Sequence, residues 1–553
     1  MRSFYGYRGI PIRFVQLWSE LQHERTESVK MCLGYCWLTV FLCLLLQQDL
    51  HQDQAEAANI LGIFPYRHIS PFFVMQPLVR TLAERGHNVT LITPSGLPND
   101  IEGVRHIRVA QLNERIKEML ESDQVLDFLI NKWTESALTA KALYNASNDI
   151  LSDPGVQRML HDKSERFDLI IMEPSSLDAL YGLVEFYNAT LIGLSSIRIN
   201  WQTDELAGNP APSIYEPISP VGFSLETSLF SRVYNWIHIM EEKLVDYLIL
   251  RPAQLHLFQK FFGYSAQKMN ELRNRFSLML INSHYSMGKV RANAPNIIEV
   301  GGLHLSEPPE PSDEELQKFL DKANHGVIYF SMGNDVLIKF LPANIQELLL
   351  QTFAKLKESI IWKSELLCMP NKSDNVYVIE QAPQRHILNH PNVRLFITNG
   401  GLLSVIEAVD SGVPMLGLPM FFDQFANMRW VQLSGMAEVM DINILNKDTL
   451  TETIKHMLAS DSYYLKAKEM SQFFKDRPMS PLDTAVWWTE YALRNRNITR
   501  MRLNLEEIPL IEYYRIDSIL AFSLRFGLVA ASLIFLVYTL FLKYRIRLRR
   551  LHP

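Results

Sequence analysis

Residues Val393–Pro419, VRLFITNGGLLSVIEAVDSGVPMLGLP, decide the fold. The run VRLFITN (393–399) is apolar, rich in β-branched and aromatic side chains, and too short for a helix, so it reads as a strand buried on both faces. Gly400-Gly401 ends it, the spacing predicts a helix from 402 to 410, Gly412 stops that helix, and VPMLGLP (413–419) supplies a second buried strand. Strand, helix and strand in that order form a βαβ unit, and continuous apolar strands belong to parallel sheets covered by helices.

The alternation extends upstream through GVIYFSMG (326–333), a helix over QELLLQTFAKL (346–356), SIIWK (359–363) and NVYVIE (375–380). It pauses at Gly301-Gly302 and the Pro- and acid-rich SEPPEPSDEE (306–315), which reads as a linker. Before the linker a second series runs from ILGIF near Asn59 through a helix ending at Gly86, NVTLIT, FDLIIME (167–173), TLIGLS (190–195) and SLMLINS (277–283), with a long helix-like stretch from Glu226 to Arg275. The fold class is therefore α/β: two Rossmann-like domains facing across a cleft, with ligands held outside the carboxyl ends of the strands.

The 553 residues exceed what one hydrophobic core spans, and 48% hydrophobic with 21% charged residues describes a globular chain, not a disordered or coiled-coil one. The net charge of −6 argues against a nucleic-acid partner. Charge is unevenly placed, with −1 over residues 1–57, −10 over 58–542 and +5 in the last eleven residues. The apolar run Leu33–Leu46 after Lys30, followed by Ala55-Glu56-Ala57, reads as a secretory signal, and Met31 is an alternative start. Phe526–Leu542, reaching back to Ile519, is long enough to cross a bilayer, and the basic tail after it fits the positive-inside rule. The expected arrangement is a single-pass type I protein with its body in the lumen.

Three of four cysteines (Cys32, Cys36, Cys43) leave with the signal and Cys368 stands alone, so neither a disulfide framework nor a metal site is expected. Five glycosylation sequons occur, at Asn88, Asn145, Asn188, Asn371 and Asn497, the first inside a predicted strand. The domain organisation that follows is an extension and signal over 1–57, a first Rossmann-like domain over 58–300, a second over 301–480, return helices over 481–518, the membrane helix over 519–542 and a basic cytosolic tail over 543–553.

The longer stretch Val393–Asp441 resembles the signature segment of the UDP-glycosyltransferases, the membrane-anchored enzymes of animal endoplasmic reticulum. The matching residues are Gly400-Gly401, Ser404, Glu407, Gly412-Val413-Pro414, Pro419, Asp423-Gln424, Asn427 and Gly435, with support from LAERGHNVT (82–90), IIWK (360–363) and APQRHILNHP (382–391). The resemblance implies a GT-B fold and inverting transfer of a hexose, glucose or glucuronic acid, from a UDP-sugar to a hydroxyl of a small lipophilic acceptor, with no further cofactor and no metal. It implies that the helix after Gly401 faces the diphosphate, Glu407 the ribose, Asp423-Gln424 the sugar and Gln384 the uracil. Glu173 matches the carboxylate that partners the family's catalytic histidine. An endoplasmic reticulum membrane location and a role in detoxification follow from the resemblance, which leaves open association with other transferases.

Four positions depart from the family pattern. Pro71 stands where the catalytic histidine belongs, and His68 in the same loop is the nearby substitute. Gln381 replaces the tryptophan that stacks on uracil, a change worth about 1–3 kcal/mol by analogy with base stacking. Asn399 replaces a histidine at the diphosphate, and Asn334 a hydroxyl residue after Ser331-Met332-Gly333. Two readings follow: a divergent transferase with an altered donor or displaced base, or a luminal pseudoenzyme that binds a lipophile or a partner transferase without turnover. No G-x-S-x-G elbow or G-x-G-x-x-G fingerprint supports a hydrolase or dehydrogenase.

Overall fold

In the computed structural model, which describes residues 57–65, 70–94, 101–121, 132–209, 229–288, 291–309, 311–334, 336–367, 369, 372–496, 498–503 and 516–551, the apolar runs become two all-parallel sheets. The first contains β1 (Asn59–Ile63), β2 (Asn88–Thr93), β3 (Val104–Arg108), β4 (Leu169–Met172), β5 (Thr190–Ser195), β6 (Phe276–Ile281) and β7 (Ile297–Glu299), ordered β3-β2-β1-β4-β5-β6-β7. The second contains β8 (Val327–Ser331), β9 (Ser359–Lys363), β10 (Val376–Ile379), β11 (Val393–Thr398), β12 (Met415–Gly417) and β13 (Ala437–Val439), ordered β10-β9-β8-β11-β12-β13.

Successive strand residues point to opposite faces, and each sheet accordingly feeds two cores. Leu61 and Ile63 enter one core of the first sheet and Ile60 the other, while Ile328 and Phe330 of the second sheet face away from Val327 and Tyr329. In both sheets the strand order reverses once, between β1 and β4 (Ile63 beside Met172) and between β8 and β11 (Ser331 beside Thr398). A reversal opens a crevice at the carboxyl ends of the strands, where open α/β sheets bind ligands.

The helices that matter for those crevices are α1 (Ser70–Glu84), α2 (Gln384–Leu388), α3 (Leu402–Ser411), α4 (Gln424–Leu433) and α5 (Pro481–Arg494). α5 packs back on the first sheet: Ala485, Val486 and Ala492 join its core, and Glu490 accepts from Arg85 at 3.1 Å through both oxygens. A last helix, α6 (Ile516–Leu551), is 36 residues long and carries an apolar span over Asp517–Arg545 with no part of it buried. At about 1.5 Å per residue it exceeds the ~30 Å hydrocarbon core of a bilayer.

One expectation differs from the structure. The sequence reading has no strand between 94 and 166, yet β3 (VRHIR) pairs with β2; its alternating charges and partial exposure mark an edge strand and hide it from an apolar-run criterion. The helix-like stretch Glu226–Arg275 is helical over most of its described residues. It divides into Leu229–Val245, a π turn at Asp246–Leu250, Arg251–Phe262 and Ala266–Arg273, the last break set by Gly263 at φ 70°. The signal segment, His68, Asn371 and Asn497 lie outside the described residues.

Candidate functional site

The crevice between β8 and β11 gathers most of the sequence-predicted donor residues. β11 ends in Asn399-Gly400-Gly401, and Gly400 has φ 84° with Met428 so close that a Cβ would sit 2.3 Å from its Cγ, so only glycine fits there. Gly401 is different. Its φ is −56° and a Cβ there would find Asn399 Oδ1, at 3.7 Å, as its nearest neighbour, leaving open space over the start of α3. No side chain caps α3, so the first-turn N–H groups and the positive end of the helix dipole face that space.

One turn into α3, Glu407 is fixed by its neighbours. Gln384, the first residue of α2, donates through Nε2 to Glu407 Oε2 (2.7 Å) and to Ser404 Oγ (2.9 Å), while its Oε1 accepts from the Tyr329 hydroxyl of β8 (3.1 Å). Burial pushes the Tyr329 phenol up, so it stays protonated and remains a donor. The Gln384 amide is thus engaged by Glu407, Ser404 and Tyr329. On the other side of Glu407, His304 Nε2 stands 3.7 Å from Oε1, and burial lowers that imidazole to about 3, leaving it neutral.

The loop after β12 brings Asp423-Gln424 to the same edge. Gln424 is buried, and its Oε1 accepts from the backbone of Met420 (2.9 Å) and Phe421 (3.3 Å), closing the loop on itself. Asp423 Oδ2 accepts from Asn427 Nδ2 (2.9 Å), which also donates to Gly400 O (3.1 Å), so the α4 start is tied to the glycine pair. Just before Asp423, Phe422 adopts φ 51°, a left-handed conformation costly for an aromatic residue and concentrated at functional sites.

Asn399 is buried, with Oδ1 accepting from Gly401 N (3.3 Å), and it packs against Gly333 of the β8 loop. Asn334 is exposed and accepts from Lys363, whose Nζ also donates to Gly333 O (3.0 Å). Lys363 is the last residue of β9 and places a cation beside the crevice; within the sequence run IIWK nothing assigns it that role. Gln381 is exposed in the loop after β10.

The first sheet's crevice contains Glu173, directly after β4. It is 6% exposed; both oxygens accept from Ser196 N (3.1 and 3.3 Å) and Oε1 also from Ser196 Oγ (3.2 Å). Burial opposes those hydrogen bonds and wins, pushing the carboxyl up to about 8. β1 ends beside β4 at the same sheet edge, with Ile63 next to Met172, and the second residue of α1 is the buried Pro71. Proline offers no proton acceptor there.

Among the sequons, Asn145 lies within the helix Lys132–Ser152, Asn188 is exposed at φ 50° after the helix Gly182–Tyr187, and Asn88 opens β2 and donates to Asn59 Oδ1 (3.0 Å).

A family profile described as UDP-glucoronosyl and UDP-glucosyl transferase matches residues 61–550. UDP-glucosyltransferase 2 of Dactylopius coccus is 32% identical over 491 residues, 86% of this chain and 92% of that protein. The ecdysteroid UDP-glucosyltransferase of Lacanobia oleracea granulosis virus is also 32% identical, over 83% of this chain and 99% of its own. The 2-hydroxyacylsphingosine 1-beta-galactosyltransferase of Rattus norvegicus is 28% identical over 89% of this chain and 90% of its own. Among solved structures, the glycosyltransferase of kitacinnamycin superposes with a TM-score of 0.52 at 14% identity, over 78% of this chain and 99% of that one. At that identity the likeness shows the GT-B fold alone.

Proposed function

The chain belongs to the UDP-glucuronosyl and UDP-glucosyl transferase family, and on that premise we propose that it transfers a hexose from a UDP-sugar, with inversion, to a hydroxyl of a small lipophilic acceptor. The observation that carries the donor reading is the fixed Glu407: a carboxylate held by Gln384 at 2.7 Å, one turn beyond a helix start that opens over Gly401. The diphosphate meets the α3 N–H groups, the ribose hydroxyls donate to Glu407, and the sugar lies toward Asp423.

In the reaction the acceptor oxygen forms a bond to the anomeric carbon as the bond from that carbon to the UDP oxygen breaks. The acceptor proton passes to a base of the first half, and the charge that develops on UDP is stabilised at the helix terminus. Glu173 takes up that proton in its ionised form, which burial makes the main one only above about pH 8, and His68 is the second candidate for the base. The lipophilic acceptor class follows from relatives named for ecdysteroid and 2-hydroxyacylsphingosine substrates. We further propose that α6 anchors the body in the endoplasmic reticulum membrane as a single-pass type I protein, with the exposed Asn188 as a glycosylation site.

The test is transfer from labelled UDP-glucose, UDP-galactose and UDP-glucuronate to sterol, sphingoid and phenol acceptors by microsomes containing this chain, with the anomeric configuration read by NMR. Product of inverted configuration is expected. Its absence from every pair, alongside activity in a variant carrying Pro71→His, Gln381→Trp and Asn399→His, would mean a folded binder without turnover.

A further inference from the structure

A cavity of about 80 Å³ opens where β6 ends beside β7, at the pair Ile281 and Glu299, with the loop after β5 as its other wall. It lies at the same edge of the first sheet as Glu173: Ser196, which donates to Glu173, is followed two residues on by Arg198 in the cavity wall. Room of that size holds roughly five waters or one small ligand. The wall carries Arg198, Arg291 and Glu299, two guanidinium groups against one carboxylate. Arg477, outside the wall, lies within electrostatic reach of Glu299 and offsets part of its charge. His284, also in the wall, adds none, since burial lowers its imidazole to about 4.

Arg291 is held by one arm only. Asp204, in the helix Trp201–Ala207, accepts from Arg291 Nη2 (2.8 Å) and from Asn209 Nδ2 (2.8 Å). The Arg291 side chain is 8% exposed, yet its Nη1 has no hydrogen-bond partner among the described residues. Leaving a buried charged donor unpaired is costly, and the guanidinium fork is rigid and planar, so one fixed arm presets the other. Arg198, over the Trp430 ring at 5.9 Å, brings a second guanidinium to the wall. The rest of the lining is largely apolar: Ile199, Ile281, Met287 and Ile297. We propose that this cavity binds a small carboxylic acid in its ionised form, the carboxylate accepting from Arg291 Nη1 and from Arg198 and a short apolar stem lying against the isoleucines and Met287. Inorganic phosphate offers the guanidinium groups the same oxygens, but it leaves the apolar wall uncovered and sets more negative charge beside Glu299.

The experiment follows the melting temperature of the full detergent-solubilised chain, at constant ionic strength and with UDP present to occupy the α3 terminus, as butyrate, butyramide or inorganic phosphate is added. Butyrate should bind with a Kd of about 1 mM, about tenfold tighter than its neutral isostere butyramide and tighter than phosphate. Arg291→Lys keeps a cation for Asp204 but loses the forked second donor; it should weaken butyrate about tenfold and leave UDP within about twofold. Arg198→Gln should weaken butyrate severalfold. No butyrate binding, equal binding of butyrate and butyramide, or full affinity in Arg291→Lys overturns the proposal, and phosphate bound in preference to butyrate overturns the carboxylate assignment. If Arg291→Lys fails to fold, the butyrate and butyramide comparison together with Arg198→Gln decides. A chain that ignores UDP speaks against the proposed function and leaves this comparison intact, because Arg291 lies outside the donor crevice.

Discussion

Replacing Glu173 by glutamine separates the two forces acting on that carboxyl. Ser196 donates to it through N and Oγ, which favours the ionised form, and burial favours the neutral one. With burial dominant the folded carboxyl titrates near pH 8, raised from 4.5, so between those values the folded chain holds a proton that the unfolded chain has lost. Stability then falls as pH rises through that window, by up to ~1.4 kcal/mol per pH unit, or roughly 2–3 kcal/mol between pH 5 and pH 7. Glutamine does not titrate. The melting temperature of the wild type relative to Glu173→Gln should therefore drop by about 5–10 °C from pH 5 to pH 7 and level off above pH 8, as followed by thermal unfolding in buffers of constant ionic strength. A difference that stays flat, or grows with pH, would mean that the Ser196 hydrogen bonds keep Glu173 ionised despite its burial.

The adjacent glycines should behave oppositely. Gly400→Ala puts a Cβ 2.3 Å from Met428 at φ 84° and should lower stability by at least ~2 kcal/mol in denaturant unfolding, whereas Gly401→Ala should leave stability within ~0.5 kcal/mol and raise the KM for UDP-sugar severalfold. Gln381→Trp should tighten UDP binding by about tenfold in calorimetry if its exposed position lies over the uracil; an unchanged Kd would place the base elsewhere. Arg273→Met, which strands the buried Asp178 carboxylate it pairs with, should cost about 3–5 kcal/mol in chemical denaturation of the full chain without altering UDP affinity.

The strands were legible because burial on both faces writes a continuous apolar run: NVTLIT, TLIGLS and SIIWK coincide with β2, β5 and β9 residue for residue. The edges were not, because a half-exposed strand such as VRHIR has no such run, and three-residue strands such as β7 and β13 are set by the sheet beside them. At the site, Gly400-Gly401 was readable as the close end of a strand before a helix, whereas Glu407 and Asp423 were singled out only through the resemblance to the UDP-glycosyltransferases. His304 and Tyr329 were not, since a lone histidine after Gly302 and a tyrosine inside a core strand look like packing residues until the fold sets them around Glu407. Phe422 was hidden for another reason: a backbone angle of 51° leaves no trace in a sequence that uses phenylalanine there.

The proposed function requires the second sheet's crevice to receive the UDP-sugar. Photolabelling the full chain with an azido-UDP-glucose and mapping the modified peptides tests it most directly. UDP-competable label is expected within residues 381–407, around Gln384 and the start of α3. Label confined to the first half, or label that excess UDP does not displace, would contradict it.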